Sequence, residues 1–301
     1  MSSTKIVVVV GKGDKQKERE IVLQDVSPSL GALRQAYAKQ YKIDQHRLMF
    51  KKSDESRMED YNKALSDYGV KSGDRVLLKD LGPQIGYRTV FVVEYAGPLL
   101  FVLLYATRSA FIFGPSSSEP MHPVAKLGVL FWSLHFIKRE FETFFVHRFS
   151  RPTMPLSNLF KNCAYYWCFG LVIGYPLCSP GFVAPPQAHV LTGATIFVVA
   201  EIGNLICHVM LRNMRPAEGS QARLIPKGFL FNLVACPNYT FEVLSWVGFS
   251  VMTGLLFSYL FTAVGFLQMA DWAVKKHKGY KKSYGKEYIS LNRKAIVPFI
   301  Y

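Results

Sequence analysis

Apolar and polar positions are distributed along this chain in two different ways, and the change falls near residue 82. Before it, apolar residues come in short runs. Ile6 to Val10 is β-branched, as suits a strand, and Glu20 to Gln24 reads as a second short strand after a turn at Gly11-Lys12-Gly13-Asp14. Leu30, Leu33, Tyr37 and Tyr41 then recur at helical spacing. Arg47 to Lys51 and Arg75 to Lys79 read as further strands, the latter after a Gly73-Asp74 turn. Beyond Pro83 the pattern becomes apolar blocks of membrane-spanning length, near residues 88–107, 124–145, 162–178, 189–211, 229–252 and 254–274.

The N-terminal order of strand, hairpin, strand, helix and strands resembles a β-grasp fold, and Ser72 to Leu78 looks like the last strand of a ubiquitin-like domain. The expected fold class is therefore an N-terminal α+β ubiquitin-like domain followed by an all-α polytopic membrane domain of about six transmembrane helices. Residues 1–82 would form the cytosolic domain and residues 83–301 the membrane domain. Gly82 is followed by Pro83 and no terminal Gly-Gly is present, so conjugation to targets is not expected. Val10-Gly11-Lys12-Gly13 begins like a dinucleotide-binding fingerprint, but the third glycine is missing and a charged stretch follows where a packed helix should start.

Charge sharpens the topology. The chain carries a formal charge of +15, and the cations gather between the apolar blocks. Arg148, Arg151 and Lys161 follow the second block; Arg212, Arg215, Arg223 and Lys227 follow the fourth; a Lys-rich stretch follows the sixth. The alternate loops are nearly free of Lys and Arg, which places both termini in the cytosol by the positive-inside rule. That distribution explains the net charge without nucleic acid, and no basic-aromatic ladder argues for RNA or DNA. The five cysteines lie in or beside apolar segments and lack zinc-site spacing, so neither a metal centre nor a disulfide framework is expected. With no secretory signal at the N-terminus, an internal span is expected to direct insertion.

Several polar residues fall where lipid would be the default neighbour, and such groups commonly mark sites. Asn238, Tyr239 and Glu242 sit within the fifth block, with Glu242 on the helical face of Asn238. A helix kink at Pro237 with ordinary interhelical hydrogen bonds is the plainer account of that stretch. Glu94 lies in the first block, and Lys138 with Glu142 in the second, where a one-turn spacing lets them neutralise each other. In the fourth, Asn204, His208 and Arg212 repeat every four residues beside Glu201, with Arg215 one turn further. A polar stripe with arginines at its wet end suits a long anionic ligand entering from the cytosol. The tail adds Tyr280, Tyr284, Tyr288, Arg293 and Lys294 before an apolar end, and is expected to fold back and pack. The sequon at Asn238 lies too deep for glycosylation.

Ile225-Pro226-Lys227-Gly228, Asn238-x-x-x-Glu242-x-x-x-Trp246 and Arg293 to Ile300 resemble the C-terminal domain of the steroid 5α-reductases. Glu94 to Pro98, Phe145 to Ser150, Asn162 to Trp167 and Cys236 to Tyr239 are similar, within that family, to the very-long-chain trans-2-enoyl-CoA reductases of fatty-acid elongation. The resemblance implies reduction of the C2=C3 double bond of a very-long-chain trans-2-enoyl-CoA by NADPH at the endoplasmic reticulum membrane, as the last step of the elongation cycle. It implies Tyr239 as proton donor, Lys138 as an active-site cation and Glu94 as a carboxyl group near the substrate carbonyl. It implies a cofactor pocket drawn from Asn204, His208, Arg215, Asn238 and Glu242, closed by Tyr280, Tyr288 and Arg293 of the tail. The family has an acidic residue where this chain has His208. Arg212 and Arg223 remain alternatives for the NADPH phosphate. Membrane lipid and the other elongation enzymes (condensing enzyme, ketoacyl reductase, dehydratase) are the implied partners. A sterol or polyprenol reductase, a membrane methyltransferase and a non-enzymatic ubiquitin-like scaffold are the competing readings.

Overall fold

The protein is described by a computed structural model covering residues 3–11, 15–149, 152–214 and 224–301. The turn residues Lys12, Gly13 and Asp14, and the loop cations Arg151, Arg215 and Arg223, lie outside the described residues. The chain divides into two compact units, Met1–Tyr87 with Arg151–Asn158, and Arg88–Ser150 with Leu159–Tyr301.

The first unit holds a four-stranded sheet in the order β2-β1-β4-β3, formed by β1 (Thr4–Val10), β2 (Lys17–Leu23), β3 (Leu48–Lys51) and β4 (Arg75–Asp80). β1 pairs antiparallel with β2 and parallel with β4, while β3 runs antiparallel to β4. Ile6 and Val8 alternate inward on β1 as the period of a strand requires, and Ile21, Phe50 and Val76 join them in the core. Helix α1 (Leu30–Tyr41) adds Leu30, Leu33 and Tyr37, three to four residues apart on one face. Ser29 caps it by accepting from the Ala32 N–H, and Lys42 ends it in the left-handed conformation at φ 52°. The strands and helix anticipated here therefore form. A second sheet, β5 (Gln84–Gly86) against β6 (Thr153–Pro155), was not anticipated, because its two short strands lie far apart in sequence.

The second unit is helical: α2 (Tyr87–Ala106, its first residue in the other unit), the single turn α3 (Ala110–Phe113), α4 (Pro123–Phe145), α5 (Ser157–Cys178, its first two residues in the other unit), α6 (Gln187–Met214), α7 (Pro237–Thr253), α8 (Leu256–Tyr284) and the short α9 (Lys286–Ile289). Its helices are built inside-out. On α4, Leu130, Leu134, Ile137 and Phe141 are each about half exposed, while His135 and Glu142 on the opposite face are buried. Val198, Val199 and Ile202 repeat this arrangement on α6. An exposed apolar face over a buried polar one inverts the pattern of a helix at a water surface, and fits an apolar surrounding.

The expected fold class requires correction. Among the described residues, two helices are long and apolar enough to cross a membrane, α2 and α6, rather than six. The chain is a largely helical protein with two small sheets, and it does not present a clear ubiquitin-like domain followed by six spans. The reasons are visible in the elements. α4 carries Lys138, Arg139, Glu140 and Glu142 in its second half, which dilutes its hydropathy. α7 is 17 residues long, short of the roughly 20 that a bilayer needs. The apolar run from 229 is not one helix: Phe229–Asn232 forms a 3-10 turn, and the chain then passes through a turn and a single β-bridge at Val234 before the proline that opens α7.

That connecting segment positions the tail. Lys294 N–H donates to Leu233 O at 2.9 Å, Ala235 N–H to Lys294 O at 2.8 Å, and Cys236 N–H to Ala295 O at 3.1 Å. Thr240 Oγ1 adds a hydrogen bond to Ile296 O at 2.5 Å. The tail does fold back.

A buried charge cluster on three helices

Three helices each turn one polar stripe toward a common interior. His135, Lys138, Arg139 and Glu142 recur at helical spacing on α4, Glu201, Asn204 and His208 on α6, and Asn238, Glu242 and Trp246 on α7. α6 and α7 approach closely because Gly193 and Gly248 leave no side chain between them. A Cβ on Gly193 would lie 2.4 Å from Met252 N, and one on Gly248 would lie 2.6 Å from Gly193 O.

Asn204 is the hub of the cluster. Its Oδ1 accepts from Lys138 Nζ at 2.7 Å, and its Nδ2 donates to Asn238 O at 2.9 Å and to Glu242 Oε2 at 3.1 Å. Lys138 also meets Glu201 Oε2 at 2.7 Å, so its position is fixed by two residues on the same face of α6. The Glu142 pairing anticipated for it is loose, at 4.0 Å. Glu142 instead accepts from Arg139 at 2.7 Å. Arg139 extends the cluster to α2 by donating to the Tyr95 hydroxyl at 2.9 Å. His135 lies between two carboxylates, Glu201 at 2.7 Å and Glu242 at 3.3 Å, and Trp246 Nε1 donates to Glu242 at 3.2 Å. Buried charges persist only when paired in this manner.

The remaining candidates are placed as follows. Glu94 is fully buried on α2 and accepts from Asn162 Nδ2 of α5 at 2.7 Å. Asn238 is buried with its backbone oxygen engaged and its side-chain Oδ1 unpartnered. Tyr239, one residue on, turns away by a helical step and packs beside Trp272 of α8, with ring centroids 6.2 Å apart. No hydrogen bond among the described residues joins it to the Lys138 cluster. Arg212 is exposed at the end of α6. Tyr280, Tyr288 and Arg293 form a separate buried group: the tyrosine rings lie 5.2 Å apart, Arg293 stands 5.8 Å over Tyr288 and donates to Pro226 O at 2.5 Å. Burial pushes the Tyr288 phenol up to about 12 and lowers Arg293. His277, 2.9 Å from the Tyr288 hydroxyl, is held below its ordinary value by burial and by Lys281 and Lys294.

Sequence reasoning passed over His135, Arg139, Tyr95 and Asn162. His135 stands alone in an aromatic and apolar stretch, while Arg139, Tyr95 and Asn162 lie beside the charged residues Lys138, Glu94 and Lys161. The spacing of His135, Lys138, Arg139 and Glu142 on one face of α4 is the signal that could have found the first two.

A helical protein with a buried charge cluster and apolar outer faces has the make-up of a membrane-associated enzyme, and sequence comparison narrows that class. The family described as 3-oxo-5-alpha-steroid 4-dehydrogenase matches residues 152–301. A Trypanosoma brucei brucei protein provisionally named an enoyl-CoA reductase is 46% identical over 98% of this chain and 99% of its own. The very-long-chain enoyl-CoA reductase of Dictyostelium discoideum is 46% identical over 77% of this chain and 76% of its own. A Caenorhabditis elegans protein provisionally named a very-long-chain enoyl-CoA reductase is 48% identical over 78% and 79%. The chain belongs to the steroid 5α-reductase family, in the group of the very-long-chain enoyl-CoA reductases, and is an oxidoreductase.

Proposed function

We propose that this protein reduces the C2=C3 double bond of a very-long-chain trans-2-enoyl-CoA with NADPH, the closing step of a fatty-acid elongation cycle. Residues 83–301 are the reductase domain, seated in the endoplasmic reticulum membrane with both termini in the cytosol. The condensing enzyme, ketoacyl reductase and dehydratase of the cycle are its partners. The observation that carries this reading is the Lys138 ammonium, held 2.7 Å from both Glu201 and Asn204 inside a helical body whose relatives are named enoyl-CoA reductases.

The residues fit a nicotinamide cofactor in one specific respect: Asn238 Oδ1 is a buried acceptor without a donor, as a carboxamide N–H2 would require. Asn204, His208, Asn238 and Glu242 would hold the cofactor's nicotinamide half, with Arg212, Arg215 or Arg223 on its phosphates and Tyr280, Tyr288 and Arg293 closing over it. When bound, NADPH supplies the hydride that the double bond accepts at C3.

The chain's own groups handle the charge and the proton. Negative charge moves onto the thioester oxygen as C3 is reduced, and a fixed ammonium stabilises it without reorganising. Lys138 fills that role, oriented by Glu201 and Asn204. Glu94, kept in place by Asn162, would donate to the carbonyl when protonated. Tyr239 passes a proton to C2; its half-buried hydroxyl makes no hydrogen bond to another described residue and is free to donate.

Purified protein in detergent, given a long-chain trans-2-enoyl-CoA, should oxidise NADPH, and Tyr239→Phe should abolish that oxidation. Persistent oxidation in the variant would assign the proton to another group. A folded, NADPH-binding protein that leaves every enoyl-CoA untouched would overturn the substrate.

A further inference from the structure

We infer that Glu142, His147 and His208 form a binding site for a divalent transition-metal ion of the zinc type. Glu142 comes from the last turns of α4, His147 from the segment just beyond it and His208 from α6. One ligand atom from each lies within 4.8 Å of the other two. Tetrahedral zinc, with bonds of about 2.0–2.2 Å, sets its ligands about 3.3 Å apart, so small side-chain rotations complete the site. Two imidazoles and one carboxylate leave a fourth position open, the donor set of catalytic rather than structural zinc.

The contact between Glu142 and His208 gives an independent reason. Glu142 Oε1 and His208 Nδ1 stand 3.0 Å apart, yet this buried Oε1 has no hydrogen-bond partner. His208 Nδ1 also faces Arg139 Nη1 at 3.3 Å, and a guanidinium can only donate. A ring nitrogen that accepts from Arg139 cannot also donate to Glu142. Two lone-pair atoms at that distance are stabilised by a cation between them, and Arg139 keeps its better partners, Glu142 Oε2 at 2.7 Å and the Tyr95 hydroxyl at 2.9 Å.

The surrounding charge permits it. Among the described residues, Arg139 is the one permanent cation within hydrogen-bond distance of Glu142, since Lys138 stands 4.0 Å away and pairs with Glu201, so one carboxylate oxygen is left for a bound cation. The site would tie the end of α4 and the segment after it to α6. It shares His208 with the cofactor-holding residues proposed above, and the test reads metal rather than turnover.

Tag-free protein in detergent, stripped with a chelator, is dialysed against Zn2+ or Co2+, passed through gel filtration and analysed for metal and for visible absorption. One ion per chain, with the d–d bands of four-coordinate cobalt, is expected. Retention should fall at least tenfold in His147→Ala and Glu142→Gln, and stay unchanged in the exposed control His189→Ala. If His147→Ala fails to fold, His147→Gln decides in its place. Protein that emerges metal-free without cobalt bands overturns the inference, and so does a folded His147 variant that retains as much metal as the wild type.

Discussion

The side-chain amide of Asn204 on α6 donates to the backbone carbonyl of Asn238 on α7 at 2.9 Å, while its oxygen accepts from Lys138 on α4 at 2.7 Å. One residue thus registers three helices. Asn204→Leu keeps the branched shape but removes every one of these bonds, and strands Lys138 and Glu242 with fewer partners. The expected cost is about 1–3 kcal/mol for each buried group left unsatisfied. Asn204→Asp keeps an acceptor for Lys138 but places a carboxylate against Glu242 and loses both donors. Thermal unfolding in detergent should rank wild type above Asn204→Asp and Asn204→Leu. A variant as stable as wild type would show that the three helices are registered by packing alone.

Lys138→Met tests the cluster from the other side. It leaves Glu201 with His135 but without its ammonium, and Asn204 Oδ1 without a donor. If Lys138 stabilises the developing negative charge, turnover should fall by about 10²–10³-fold, the loss typical of removing one such group. NADPH binding measured in parallel should change far less. Equal losses in binding and turnover would make Lys138 a structural ion and not a catalytic one.

The close approach of α6 and α7 predicts intolerance at two glycines. Gly193→Ala would put a methyl group 2.4 Å from Met252 N and 2.5 Å from Gly248 O, both backbone atoms that cannot yield. A loss of about 1–3 kcal/mol is expected from such overpacking. Gly181→Ala, where the nearest atom is a side-chain oxygen at 3.8 Å, is the control. Melting temperatures of the two variants check the difference.

Much of this was legible because helical spacing is a local property. The Asn204–His208 stripe, Glu242 one turn after Asn238 and the N-terminal strands all follow from periodicity within a single element. The misses share a cause, which is contact between residues distant in sequence. Residues 229–236 read as part of an apolar span because nothing local shows that Leu233, Ala235 and Cys236 pair with Lys294 and Ala295. Tyr239 was grouped with Asn238 as a sequence neighbour, but a helix rotates adjacent residues by about 100°. Asn238 therefore meets α6 while Tyr239 meets Trp272. His135 was invisible for the same reason: a lone histidine among Leu134 and Phe136 reads as core until the carboxylates of α6 and α7 are seen on either side of it.

The tail contributes a pH dependence whose sign is fixed. His277 is held below its ordinary value of 6.5, first by burial and then by Lys281 and Lys294, and it lies 2.9 Å from the Tyr288 hydroxyl. With its folded value depressed, the unfolded chain binds the proton more readily. The stabilising contribution is therefore complete above 6.5 and is lost as pH falls through the lower, folded value. Acidification should loosen the segment that pairs with residues 233–236, exposing the C-terminal segment to protease before the helical body melts. His277→Asn removes the titrating group, so its protease resistance should stay flat across the range in which wild type weakens. If both proteins lose the tail at the same pH, the acid sensitivity resides elsewhere, and the contact between His277 and Tyr288 is packing only.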